Sequence, residues 1–175
     1  KLIFSVLLEI DQNGRVLNSE FHPSIIKTAE RMTYTSVFKI FEKDQAEIRQ
    51  YARLVPDFLL MREIASLLRR RREEAGSLNF DLLEPELVYR EGKLQQVAAF
   101  EANEAHHLIE EFMIAANRAV GDWALERGVP FLFRVHQEPD ADSLARFEET
   151  ALSLLPGTAV AVLSSLPRLR RWLSA

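Results

Sequence analysis

No cysteine occurs among the 175 residues, which removes disulfides, thiolate nucleophiles and thiolate metal sites together. Glycine is scarce as well. The six glycines are scattered, and none forms a phosphate-cradling loop ahead of a helix, so Walker and Rossmann nucleotide sites are excluded. No Gly-x-Ser-x-Gly elbow of an α/β-hydrolase is present. No apolar run approaches the ~18 residues of a membrane span, so no membrane partner is expected. Positive charge is short too: 22 Lys and Arg stand against 26 Asp and Glu, for a net charge of −4. That argues against binding nucleic acid over the whole surface, because phosphate contacts need local Lys and Arg. A narrow basic channel stays possible, since the distribution of charge matters more than its sum. The opening KLIFSVLLEID carries an apolar run, but Glu9 and Asp11 follow with no small-residue cleavage site. A strand is expected there rather than a signal peptide.

What is present has the balance of a globular protein, with 47% hydrophobic and 27% charged residues. Residues 1–175 are expected to form a single domain, large enough to bury roughly 70% of its unfolded surface. The cytoplasm is the simplest compartment for a cysteine-free chain of this kind.

Residues 2–10 and 15–21 are expected to pair as a hairpin, because Asn13-Gly14 is a strong turn signal between runs of β-formers. Residues 33–42 suit a short helix capped by Thr33, with Val37, Phe38 and Phe41 on its apolar side. A longer helical region over about 45–75 should break or kink at Pro56 and close at Gly76. Extended segments are expected over 77–81 and 87–97, the second with a turn at Glu91-Gly92. A helix from about 103 to 127, with Asn103 as its cap, should end at Gly128 and Pro130. A strand is expected over Phe131–His136, a helix over 141–155 and a last helix in the tail after Leu163. Strands and helices mixed without a βαβ rhythm give an α+β fold with a mixed sheet and packed helices.

The densest information lies in the 103–127 helix. Leu108, Ile109, Phe112, Met113, Ala116, Val120 and Trp123 recur at helical spacing and predict a buried stripe. At least two of Leu108, Ile109, Phe112 and Met113 should be almost fully buried. Around the stripe stand Asn103, His106, Glu110, Glu111 and Asn117, more polar detail than packing requires. NEAHHLIEEFMIAAN resembles the N-[D/E]-A-H-x-L-I-E-E-x-M…A-N helix of the ribonuclease II/ribonuclease R (RNB) family of exoribonucleases. Three further blocks resemble that family, in its order: LIFSVLLEIDQNGRVLNSEFHPSIIKTAERMTYTSV, RRRREEAGSLNFDLLEPELVY and PFLFRVHQEPD. Together they cover residues 1 to about 150. The family's magnesium-holding D-x-x-x-x-x-D-x-D-D motif is not among these residues, nor is its S-P-[I/L]-R-R-Y block. The chain therefore resembles the central part of an RNB catalytic domain.

The resemblance implies a 3′→5′ exoribonuclease that hydrolyses single-stranded RNA to nucleoside 5′-monophosphates. It implies Mg²⁺ held by ligands outside this chain, and as partners the rest of the RNB domain and OB-type RNA-binding modules. The alternative is an RNB-like RNA-binding or scaffold module without catalysis. In the family pattern Tyr34 lies against the 3′-terminal nucleotide, and an aromatic face can stack on any base. From the residues alone, Tyr34 could equally be a half-buried tyrosine packing its own helix. Phe133 is expected either as a second wall for the terminal bases or as an ordinary core phenylalanine beside Phe131, Leu132 and Val135.

His106 and His107 with Glu110 and Glu111 have a spacing that could chelate a metal. A hydrogen-bonded histidine at the helix start and arginine-paired glutamates are the plainer expectation. Arg62 and the run Arg69–Arg72 could form a solvated helix end beside the negative C-terminal dipole, or meet RNA phosphates or an acidic part of the parent protein. Asp140 and Asp142 are expected as helix-start residues, with no chemistry assigned.

Overall fold

Apolar alternation and an Asn-Gly turn produce the first element of the computed structural model, which describes residues 1–77, 84–90, 92–100, 102–135, 137 and 139–154. Strand β1 (Leu2–Ile10) pairs antiparallel with β2 (Val16–Ile25), and a bulge lies between Glu9 and Ile10. Asp11 fixes the turn: its Oδ1 accepts from the amides of Asn13 and Arg15, both at 2.8 Å. Those two bonds hold its carboxyl below the ordinary range. Gly14 has φ of 73° and its Cα faces the Leu67 carbonyl, which an added Cβ would meet at 3.0 Å. Backbone sign and space both demand glycine there.

Helix α1 (Tyr34–Phe41) starts where Thr33 Oγ1 accepts the Ser36 amide at 3.1 Å. Helix α2 (Gln45–Gln50) starts at Asp44, whose Oδ1 accepts from Ala46 and Glu47. The chain then turns and α3 (Val55–Glu74) begins, with Pro56 in its first turn, where a missing N–H costs no intrahelical bond. The expected break at Pro56 is therefore a helix start. Strands β3 (Glu84–Arg90) and β4 (Lys93–Phe100) form a second antiparallel hairpin, with Gly92 at φ 74° in the turn. Helix α4 (Glu104–Glu126) ends in a left-handed Gly128, where the Val129 amide reaches back to the Ala124 carbonyl.

The contact pattern divides the chain into two compact units. The first comprises Lys1–Arg71 and Asp81–Val129, and the second Arg72–Phe80 and Pro130–Ala175. The core of the first unit is Val37, Phe41, Ala65, Ala105 and Leu108, flanked by Met32, Phe38, Phe58, Met61 and Phe112. Two further contacts tie this unit together. Phe21 of β2 lies 5.4 Å from Trp123 of α4, and the Arg62 guanidinium sits 5.1 Å over the Phe41 ring. In the second unit Gly76 closes α3 at φ 90°, and Arg72 donates to Ser77 Oγ at 2.7 Å. There helix α5 (Ala141–Leu154) is opened by Asp140, whose Oδ1 accepts the Ser143 amide at 2.7 Å.

The α+β class holds, with three differences in detail. The described strands make two separate antiparallel hairpins, not a mixed sheet. Each hairpin pairs only with itself, which local turns suffice to produce. Phe131–Val135 forms no strand, and Leu132 is 98% exposed. Aromatic and β-branched residues favour extended backbone only where a partner supplies a ladder. In α4 the buried line is Ala105, Leu108, Glu111, Ala119 and Ala124, while Ile109 and Met113 are exposed. The expectation of two nearly buried residues among the four thus fails: Leu108 alone qualifies. The apolar stripe is wider than the face that packs, and the small alanines carry the close approach. Residues 78–81 of the segment expected over 77–81, and the tail after Leu163, lie outside the described residues.

No described helix is long and apolar enough to cross a membrane.

Candidate nucleic-acid interface

Two helix starts meet in the first unit, and each presents a ring. Tyr34 is the first residue of α1, placed there by the Thr33 cap. His106 is the third residue of α4, placed there by the Asn103 cap. The two rings stack with centroids 4.0 Å apart and planes 21° apart. Tyr34 is still 45% exposed, so one face of its ring is covered by the imidazole while the side chain keeps open surface.

The imidazole is held from behind. Asn103 Oδ1 accepts from the Ala105 amide at 3.0 Å and the His106 amide at 3.3 Å, and lies 2.8 Å from His106 Nδ1. The same Nδ1 stands 3.2 Å from the Asn103 amide, in the geometry of a capping box. One nitrogen cannot accept from the amide and donate to the carboxamide oxygen at once. The shorter contact is to an oxygen that only accepts, so the proton belongs on Nδ1. Burial and, second, the neighbouring His107 push the His106 pKa below its ordinary value, which keeps the ring neutral near pH 7.

Beside this junction α3 and α4 enclose an open cavity of 310 Å³, lined by Arg62, Arg69, Glu104, His107, Leu108 and Glu111 among others. Arg62 Nε donates to Glu104 Oε1 at 2.6 Å, a close pair between two helices. Both side chains are roughly two-fifths exposed, so the pair contributes at most about 1 kcal/mol. His107 Nδ1 lies 3.2 Å from Glu110, one turn along the same helix. Glu111 is a buried carboxylate, at 3% exposure. Among the described residues no three His, Asp or Glu side chains converge on a point that could hold a metal ion. The residues described do not fit a magnesium site, so no step at a metal is assigned to them.

Tyr34 stands at an exposed helix start. Phe133 belongs to the second unit, 46% exposed and edge-on to Phe131 at 5.3 Å. It is therefore not the core phenylalanine of a strand. The Tyr34–His106 stack and the Arg62–Glu104 pair have no signature in the sequence, because each joins residues far apart in the chain. Asn103 was legible as a cap, and its Oδ1 also brings in His106 through Nδ1.

The RNB domain family model matches residues 1–173. Ribonuclease R 1 of Lactococcus lactis is 35% identical over 152 residues, which is 86% of this chain and 19% of that protein. Ribonuclease R of Aquifex aeolicus is 33% identical over 158 residues, covering 90% of this chain and 22% of its own length. Among solved structures, Mycoplasma genitalium RNase R in complex with ribose methylated single-stranded RNA superposes with a TM-score of 0.81. That match covers 99% of this chain and 28% of the other at 20% identity, a likeness of fold. The chain thus spans 19% and 22% of the two curated relatives' lengths. With the family model spanning nearly its whole length, the chain belongs to the RNB domain family.

Proposed function

We propose that this chain is part of a hydrolytic 3′→5′ exoribonuclease acting on single-stranded RNA. Membership of the RNB family over residues 1–173 carries the proposal. In the reaction water attacks the terminal phosphodiester phosphorus and the P–O3′ bond breaks. A nucleoside 5′-monophosphate leaves, and the shortened strand keeps a 3′-hydroxyl. The residues described here bind and orient. The open surface of Tyr34 would stack on a base or ribose near the RNA end, a contact worth about 1–3 kcal/mol and indifferent to sequence. Phe133, exposed in the second unit, is proposed as a further stacking surface. The divalent cation is proposed to be Mg²⁺, held by residues in the part of the relatives' length that this chain does not cover. The remainder of the RNB domain and OB-type modules are the proposed neighbours there. The matched relatives are bacterial ribonucleases R, and we place the activity in the cytoplasm, where such an enzyme meets cellular RNA.

The second reading is an RNB-like RNA-binding or scaffold module without catalysis; the net charge of −4, short of the Lys and Arg that phosphate contacts need, suits its scaffold form. One experiment separates them. The full-length protein carrying this chain is incubated with oligo(A) labelled at the 5′ end, with Mg²⁺ and then with EDTA. Stepwise shortening from the 3′ end that EDTA abolishes is expected. Retention of the oligonucleotide without shortening would establish the binding module instead. The 175-residue chain by itself is expected to leave the oligonucleotide unshortened under the same conditions.

A further inference from the structure

We propose that His106 is a positioning residue for RNA: it is the fixed backing layer that sets the ring plane of Tyr34 before a nucleotide arrives. The inference rests on the reading of Tyr34 as a stacking surface and extends it to a residue that need not touch RNA. Tyr34 occupies the first position of α1, and Thr33 fixes the backbone there but leaves both side-chain torsions undetermined. The ring that lies against Tyr34 is the imidazole, 4.0 Å away and within 21° of parallel.

The imidazole is itself held by contacts independent of Tyr34. Its Nδ1 is tied to Asn103 at 2.8 Å, and its backbone sits between Ala105 and Leu108, both deep in the core of the first unit. A ring backed in this way meets a base already in plane. Without the backing, the same ring would lose rotational freedom on each binding event, and that loss would weaken binding. The exposed surface of Tyr34 continues the stack outward, so the bound arrangement is imidazole, phenol and nucleobase in three layers.

Two roles of His106 can be separated by substitution, because capping and stacking use different parts of the side chain. Glutamine at the third position of a helix can complete a capping box but offers no ring. Phenylalanine offers a ring but no hydrogen bond. In the full-length protein, with EDTA present to prevent cleavage, the affinity for 5′-fluorescein oligo(A) is measured by anisotropy beside the melting temperature. His106→Gln is expected to melt like the parent and bind about two- to tenfold more weakly. His106→Phe keeps a ring but loses the tie to Asn103, so it is expected to bind between His106→Gln and the parent and to melt lower. Tyr34→Ala should weaken binding further, and the Tyr34→Ala/His106→Gln double variant should bind no more weakly than Tyr34→Ala, since His106 acts through Tyr34. Parental affinity of His106→Gln beside a weakened Tyr34→Ala would overturn the role of His106 and leave Tyr34 standing. Additive losses in the double variant would also overturn it, since His106 would then be acting on RNA by another route. Parental affinity of Tyr34→Ala would remove the reading of Tyr34, and the inference with it.

Discussion

The start of α4 and the segment Phe131–Val135 are both rich in features shared with the family, yet they are held in opposite ways. At the start of α4 the side chains are held: Asn103 caps the helix, His106 is tied to Asn103, and Ala105 and Leu108 are buried. Along Phe131–Val135 no ladder forms, Leu132 is almost wholly and Val135 largely exposed, and Phe133 touches Phe131 edge-on. An aromatic proposed to stack on RNA can thus be set by packed neighbours or left on an open segment. The two kinds should respond differently to mutation.

The largest effect is expected in the packed region. Phe41 is 6% exposed, belongs to the core cluster and carries the Arg62 guanidinium over its ring. Phe41→Ala should cost about 3–5 kcal/mol, a large share of a domain's ~5–15 kcal/mol. Phe133→Ala removes a ring of the same size from the open segment and should change stability by less than about 0.5 kcal/mol. Denaturant melts of the two variants side by side test the contrast. Equal destabilisation would break it, because Phe133 would then be a core residue.

Next comes the cap. Asn103→Ala frees two amides and the His106 ring together, and should cost about 0.5–2 kcal/mol. Because the same change unties the backing of Tyr34, RNA affinity should fall with it, whereas Asp44→Ala at the start of α2 should cost stability alone. Equal loss of affinity in the two cap variants would show that capping acts on RNA only through global stability.

These regions also differ in how far the sequence revealed them. Caps and turns were legible because they are local. Thr33, Asn103, the Asn13-Gly14 turn and the break before Pro56 each act within four residues of themselves. The α+β class and the stacking candidate Tyr34 followed from pattern and resemblance. What could not be read is long-range. Spacing alone places Ile109 and Met113 beside Leu108, but which part of a wide apolar arc packs depends on where α1 and α3 lie. The Tyr34–His106 stack and the Arg62–Glu104 pair depend on the same placement. Phe131–Val135 has the composition of a strand, yet the described residues supply no strand beside it.

The smallest effect is electrostatic. His106 has its pKa lowered from 6.5 by burial first and by His107 second. A histidine that prefers to be neutral when folded binds fewer protons than in the unfolded chain. Stability is therefore full above about pH 6.5 and falls as the pH drops below it, towards the lowered folded value. The slope of stability against pH between about 6.5 and 5 should be shallower in His106→Gln than in the parent protein. Identical slopes would mean that the capped imidazole titrates as freely as one in the unfolded chain.

The central claim is that the half-covered Tyr34 ring holds the RNA end. It is tested most directly by the length of the last oligonucleotide that the full-length enzyme leaves from oligo(A). With the open stacking surface lost, short ends should dissociate before the final cleavages, so Tyr34→Ala should leave longer end products than the parent while melting at nearly the same temperature. End products of unchanged length at an unchanged melting temperature would contradict the account and reduce Tyr34 to a packing residue of its own helix.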